Sequence, residues 1–261
     1  MIVISKKNFP AQKLALTRSG EIAYYIPPTD APVQDSMRSG VSPSRLQWYP
    51  ALCDLGRLTA FIPGNPGAGK SYLTNELLHL LPPDSDILLF TSLEEDDGNF
   101  SALKRAGRLF KIKMTKENLE RLTLPTIRSI ADNPVLVFDD VDKIRDKDIS
   151  RLVFSIMEDA LANGRGHQKH DGKGDIHVIT TSHSLNDYKK TKYTLENSDF
   201  IAVFPQSTTY AQMKRLYEKI GLSKELCDEA IKLGKFCGVR YILIHKTTPM
   251  FIISGPQIKL I

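Results

Sequence analysis

Residues 64–71 read Gly-Asn-Pro-Gly-Ala-Gly-Lys-Ser, the G-x-x-x-x-G-K-S/T spacing that suits a triphosphate. A glycine-rich turn presents successive backbone N–H groups to phosphate oxygens, and a helix opening behind it adds partial positive charge. Gly64, Gly67 and Gly69 let phosphate oxygens approach the main chain and permit positive φ. Lys70 reaches the β- and γ-phosphates, and the Ser71 hydroxyl is the expected Mg²⁺ ligand. Asn65, Pro66, Ala68 and Tyr72 are the remaining candidate contacts of this loop. The expected ligand is a nucleoside triphosphate with Mg²⁺.

Two later segments supply what such a loop lacks. Val135-Leu-Val-Phe-Asp-Asp140 is an apolar run ending in two carboxylates. Asp139 is the candidate Mg²⁺ group, directly or through water, and Asp140 is the candidate for orienting the attacking water. Asp142 competes for that role but falls two residues further on, at the expected turn. Val178-Ile-Thr-Thr-Ser-His-Ser184 is an apolar run with a polar tip. Thr181, Ser182 and His183 can each hydrogen-bond a γ-phosphate or the water, and His183 joins the candidate catalytic set. The plainer reading is a polar strand end, with Ser184 or Asn186 capping a short helix.

Between these segments, residues 163–174 are glycine-rich and basic. Arg165 is a candidate charge-neutralising finger for a neighbouring subunit's site, while Lys169 and Lys173 suit nucleic-acid phosphates. A solvated loop is the alternative. His167 and His170 lack a third ligand, so the pattern does not make a zinc site. Lys189, Lys190 and Lys192 form a further basic group, read either as a phosphate grip or as a solvated charged turn.

The elements that must position these groups alternate. Strands are predicted at 58–62, 87–91, 135–138, 176–180 and 200–204. Helices are predicted at 69–81, within 99–109, and at 116–130, 147–163 and 208–220. Near-continuous apolar strands between helices predict an α/β fold with a mainly parallel sheet buried on both faces. Residues 1–57 read as an N-terminal arm, with a hairpin over 14–26 and then a proline-interrupted polar stretch. Residues 58–261 read as the nucleotide-binding domain, closing in a β-hairpin at 240–253.

The chain has 261 residues, 41% of them hydrophobic and 25% charged, which fits a folded domain rather than a disordered one. No apolar stretch is long enough to span a bilayer, so an integral membrane protein is not expected. Cys53, Cys227 and Cys237 show no metal-type spacing and read as reduced thiols. Thirty-five Lys and Arg against thirty acids give a net charge of +5, compatible with nucleic acid without establishing it.

The phosphate loop 64–71, the Asp139-Asp140 strand, the Gly164-Arg165 loop, the Thr-Thr-Ser-His strand end and the 236–253 region occur in a recognisable order. Over residues 58–255 the chain resembles the genome-packaging ATPases of nucleocytoplasmic large DNA viruses and virophages, within the FtsK–HerA group of P-loop ATPases. The resemblance implies an ATP-driven, ring-forming motor that moves double-stranded DNA, without regard to sequence, into a capsid. It also implies a capsid or inner-membrane viral partner, and action in the host cytoplasm and the virion. Lys70 and Ser71 match that family's phosphate and Mg²⁺ contacts, and Asp139 and Asp140 match its paired acids. His183 stands where the family more often has Gln or Asn, and Gly166 interrupts its Gly-Arg-His run. A replication ATPase or helicase loader of the AAA+ type would place a small helical lid after the fifth strand. Residues 208–234, with Arg215, offer helices, but the return of strands at 240–253 separates the two patterns. A nucleotide-regulated binding module is the third reading, and the presence of both acids opposes it.

Overall fold

The computed structural model describes residues 2–8, 10–26, 48–51, 56–93, 98–165, 175–183, 188–236, 239–255 and 257–261. Cys53, Cys237, His167, His170, Lys169, Lys173, Ser184, Asn186 and most of the prolines of the polar stretch lie outside them.

In chain order, strands β1 (Ile2–Ser5), β2 (Gln12–Thr17), β3 (Ile22–Tyr25) and β4 (Trp48–Pro50) come first. Then follow β5 (Thr59–Pro63), α1 (Lys70–His79), β6 (Ile87–Thr91), α2 (Ser101–Arg105) and β7 (Leu109–Lys111). Helices α3 (Lys116–Arg121) and α4 (Leu124–Ile130) lead to β8 (Val135–Asp139), α5 (Lys147–Asn163) and β9 (His177–Ser182). The chain continues through α6 (Tyr188–Asn197), β10 (Phe200–Val203), α7 (Tyr210–Lys219) and α8 (Lys224–Phe236). It ends with β11 (Ile242–His245), β12 (Phe251–Ser254) and β13 (Gln257–Leu260). These elements group into two compact units, Arg57–Ala202 and Met1–Gly56 with Val203–Ile261.

The unit Arg57–Ala202 is α/β, with strand order β10-β5-β9-β8-β6-β7 and every neighbouring pair parallel. All five residues of β5, of β6 and of β8 are buried, the mark of strands covered on both faces. In helix α5 Val153, Ile156, Met157, Ala160 and Leu161 are buried, the spacing of one helix face. They pack in one cluster with Phe90 and Phe138, whose rings stack with centroids 4.7 Å apart. Asp146 caps this helix, accepting from the Asp148 and Ile149 N–H groups.

The single helix expected over 116–130 is two. Thr115 and Thr123 each act as an N-cap, and Pro125 sits in the first turn of α4, where its missing N–H has no helical partner to lose. The basic segment around Lys192 is helix α6 rather than a turn.

At the N-terminal edge of these strands, Arg57 closes the end of α5. Its Nε donates to the Ile176 carbonyl at 2.7 Å, and its other nitrogens donate to the carbonyls of Leu161, at 3.1 Å, and Ala160. A Cβ added at Gly164 would lie 2.4 Å from the Ala160 oxygen and 2.6 Å from the guanidinium. Only glycine fits there.

In the unit Met1–Gly56 with Val203–Ile261, β1-β3-β2-β4 form an antiparallel sheet. Its buried side chains include Leu14, Tyr24, Trp48 and Tyr49. The hairpin of β2 and β3 turns at Gly20 (φ 82°), where the Thr17 N–H donates to the Glu21 carbonyl at 2.8 Å. Among the described residues of this range, β1 and β4 stand beyond the hairpin expected of an arm. Strands β11, β12 and β13 form an antiparallel meander, one strand longer than the hairpin read from the sequence. Helix α7 opens with a capping box between Thr209 and Gln212. Among the described residues no helix is long and apolar enough to cross a membrane.

Candidate active site at the strand tips

Parallel strands bring their C-terminal ends to one edge, and this edge is where loops from different strands can build a site. Register aligns Pro63 of β5 with Ser182 of β9, and Phe138 of β8 with Thr180 of β9. Strand β9 thus lies between the phosphate-loop strand and the strand of the paired acids. The Gly64 N–H donates to the Ser182 carbonyl at 2.9 Å, tying the start of the loop to the β9 tip.

The loop has the backbone that an anion needs. Gly67 and Gly69 hold φ of 76° and 109°, a left-handed region costly for any residue with a Cβ. Gly69 is the N-cap of α1 and offers no side-chain cap, and the first turn of α1 carries no acid. The leading N–H groups of a helix lack intrahelical partners, and Gly69 brings no side-chain cap to those of α1. Asn65, Pro66 and Gly67 are exposed, Ala68, Gly69 and Ser71 half-buried, and Tyr72 is exposed beyond them. Lys70 is buried, its Nζ donating to the Gly64 carbonyl at 3.0 Å.

The paired acids meet that lysine. Lys70 Nζ is 3.6 Å from Asp140 Oδ1. Asp139 is 5% exposed, and its carboxylate accepts from Thr181 Oγ1 at 2.9 Å and from Thr91 Oγ1 at 3.5 Å. Thr181 Oγ1 also accepts from the Asp140 N–H at 2.9 Å and lies 3.2 Å from Asp140 Oδ1. One hydroxyl therefore spans both carboxylates and one main-chain N–H. Asp140 itself sits at φ 48°, ψ 36°, a conformation Asp tolerates better than most residues. Its second oxygen pairs with His183 Nε2. Asp142 stands on the 3-10 turn that follows, accepting from Ser182 Oγ at 3.3 Å.

Of the residues singled out in the sequence, Lys70, Asp139, Asp140 and His183 converge at this edge, with Ser71 one position along α1. Arg165 does not. It follows Gly164, whose carbonyl accepts from the Ile176 N–H at 2.8 Å just before β9, so it belongs to the opposite edge of the sheet. Lys192 is exposed on α6 and lies 3.8 Å from Glu196, an i,i+4 pair. Sequence reading missed Thr91, whose link to Asp139 exists only because β6 lies beside β8. Thr181 was one of three hydroxyl- or imidazole-bearing candidates, and no local pattern marks it as the bridge.

Ser71 and Asp139 offer the hydroxyl and carboxylate oxygens that Mg²⁺ prefers. The uncapped N-terminus of α1 and the two positive-φ glycines fit a triphosphate.

No family model matches the chain. It is similar to protein V3 of Sputnik virophage, described as uncharacterized, at 30% identity over 203 residues, spanning 75% of this chain and 74% of that protein. Among solved structures, the cytoplasmic domain of the Type VII secretion ATPase EccC of Thermomonospora curvata aligns with a TM-score of 0.48 at 11% identity. That alignment covers 95% of this chain and 29% of the other, so the chain spans under a third of it. The pCW3 conjugation coupling protein TcpA, in its monomer form with ATPγS, aligns with a TM-score of 0.44 at 13% identity, covering 92% and 72%.

Proposed function

We propose that this chain, which belongs to the same family as protein V3 of Sputnik virophage, is an ATP-hydrolysing motor that translocates double-stranded DNA into a viral capsid. The observation that carries the hydrolytic part is the meeting of Lys70 with Asp140, 3.6 Å apart, beside the Thr181 hydroxyl that spans Asp139 and Asp140. The packaging part rests on the order of motifs along the chain and on the virophage relative.

In this reading the loop 64–71 and the N-terminus of α1 bind the phosphates, and Lys70 neutralises charge on the β- and γ-groups. Ser71 and Asp139 would hold Mg²⁺, which supplies further charge neutralisation there when bound. Asp140 orients the water that attacks the γ-phosphorus as the bond to the ADP oxygen breaks. Thr181 fixes both carboxylates, and His183 holds the Asp140 oxygen that faces it. When Lys70 turns to the phosphates, Asp140 Oδ1 is released for the water. Arg165, at the opposite edge of its own sheet, serves a neighbouring subunit's site in a ring. Basic side chains grip DNA phosphates without reading bases. The motor acts in the host cytoplasm and docks on a capsid or inner-membrane viral protein.

The test is ATP turnover by the purified chain with and without long duplex DNA. Turnover that rises with duplex length, accompanied by nucleotide-dependent assembly, is the expected result. ATP binding with no turnover on any DNA would replace the motor with a nucleotide-regulated binding module.

A further inference from the structure

At the edge of the parallel strands opposite the phosphate loop, the turn that carries Arg165 is held from three sides. The Gly164 N–H donates to the Ala160 carbonyl at 3.0 Å, and the Gly164 carbonyl accepts from the Ile176 N–H at 2.8 Å. The third hold is Arg128, in the last turn of α4. Its Nη2 lies 3.2 Å from the Gly164 carbonyl oxygen and 3.5 Å from those of Asn163 and Arg165. One guanidinium nitrogen thus faces three successive carbonyls at the end of α5, where a basic group suits the helix dipole. Arg165 itself is exposed. Its main chain is fixed and its side chain reaches solvent.

A neutral donor could satisfy those carbonyls; the chain uses a charged one beside two more guanidiniums. Arg57 already donates to the Leu161 and Ala160 carbonyls. Its pKa is lowered by burial first, and further by the charges of Arg165 and Arg128, against the pull of Asp199 and Asp175. Like charges this close repel. Arg57 is buried and Arg128 half-buried, so of the three Arg165 is the one with room to move. Repulsion from the other two favours rotamers that carry its head away from them. A long side chain on an anchored main chain also loses less freedom when it meets an anion on another molecule. We propose that Arg128 is a positioning residue for Arg165: it fixes the main chain of 163–165, and its charge turns the Arg165 guanidinium outward, toward the triphosphate of a neighbouring subunit. This rests on the reading of Arg165 as a finger in a ring.

The experiment measures ATP turnover by the full chain with long duplex DNA, at concentrations where sedimentation shows nucleotide-dependent assembly. Arg165→Ala is expected to lower turnover about 10³-fold. Arg128→Ala should lower it about 10- to 100-fold. Its nucleotide affinity should stay within about twofold of wild type, and it should add no further loss in the Arg165→Ala background. Arg128→Lys, which keeps the charge and a donor, should restore most of the turnover. Arg128→Gln, which keeps a donor without the charge, should lose turnover several-fold and takes the place of the alanine variant if that one does not fold. Unchanged turnover in Arg165→Ala would end the finger reading and this inference together. A loss in Arg165→Ala with none in Arg128→Ala, or losses that multiply in the double variant, would overturn the role of Arg128 alone. Failure of Arg128→Ala to assemble would also overturn it, by making Arg128 an interface residue.

Discussion

Asp140 is held from its backbone and from both carboxylate oxygens. Its left-handed backbone costs about 1 kcal/mol, and its N–H, through Thr181, and its carboxylate, through Lys70 and His183, hold it there. Asn keeps the size of this side chain and its tolerance of positive φ but removes the charge. Asp140→Asn is therefore expected to bind ATP normally and lose turnover by about 10²–10⁴-fold; near-normal turnover would remove Asp140 from the water-orienting role. Lys70→Ala should abolish nucleotide binding, read by a fluorescent ATP analogue, because the proposed site neutralises the phosphates with this buried side chain. Thr181→Val leaves the strand intact and deletes the hydroxyl that spans both acids. Turnover should fall roughly tenfold or more while nucleotide affinity stays within about twofold. A drop in affinity equal to the drop in turnover would show that Thr181 serves binding rather than positioning.

Elements are locked to one another at the edge far from the site. Arg57 joins the carbonyl end of α5 to the chain entering β9, and burial lowers its pKa to about 10, so it remains charged at neutral pH. Arg57→Leu leaves those carbonyls without donors and should cost about 3 kcal/mol, measured by urea unfolding. Nearby, the Leu58 N–H donates to His177 Nδ1 at 2.9 Å, which requires a neutral ring. Burial pushes the His177 pKa below its ordinary 6.5, against the pull of Asp175. Below that ordinary value the unfolded chain binds the proton that the folded chain refuses, so stability falls as pH drops. Tm should decline from about pH 7.5 to about pH 5.5, and His177→Asn, which can still accept from Leu58, should flatten the decline. An unchanged slope in that variant would assign the acid sensitivity to other groups.

At the scale of the whole molecule, the proposed motor must hold DNA through phosphates. Stimulation of ATP turnover by duplex DNA should then weaken steeply with salt: half-saturating DNA should rise by about tenfold or more between roughly 50 and 200 mM salt, with little dependence on base sequence. Stimulation that is insensitive to salt, or confined to one sequence, would point to base reading and away from packaging.

The residue order by itself determined the phosphate loop, the strand of paired acids, the buried parallel strands and the limits of α5. Each of these is written in consecutive residues: glycine spacing sets loop conformation, and apolar periodicity sets which face is buried. Tertiary structure alone decided that β9 lies between β5 and β8 and that β6 flanks β8. Those neighbours made Thr181 the bridge and brought Thr91 to Asp139, and the turn after β8 put Asp140 at positive φ. Buried parallel strands have nearly interchangeable apolar sequences, so their order is chosen by how the whole sheet and its helices pack, and no local spacing records it.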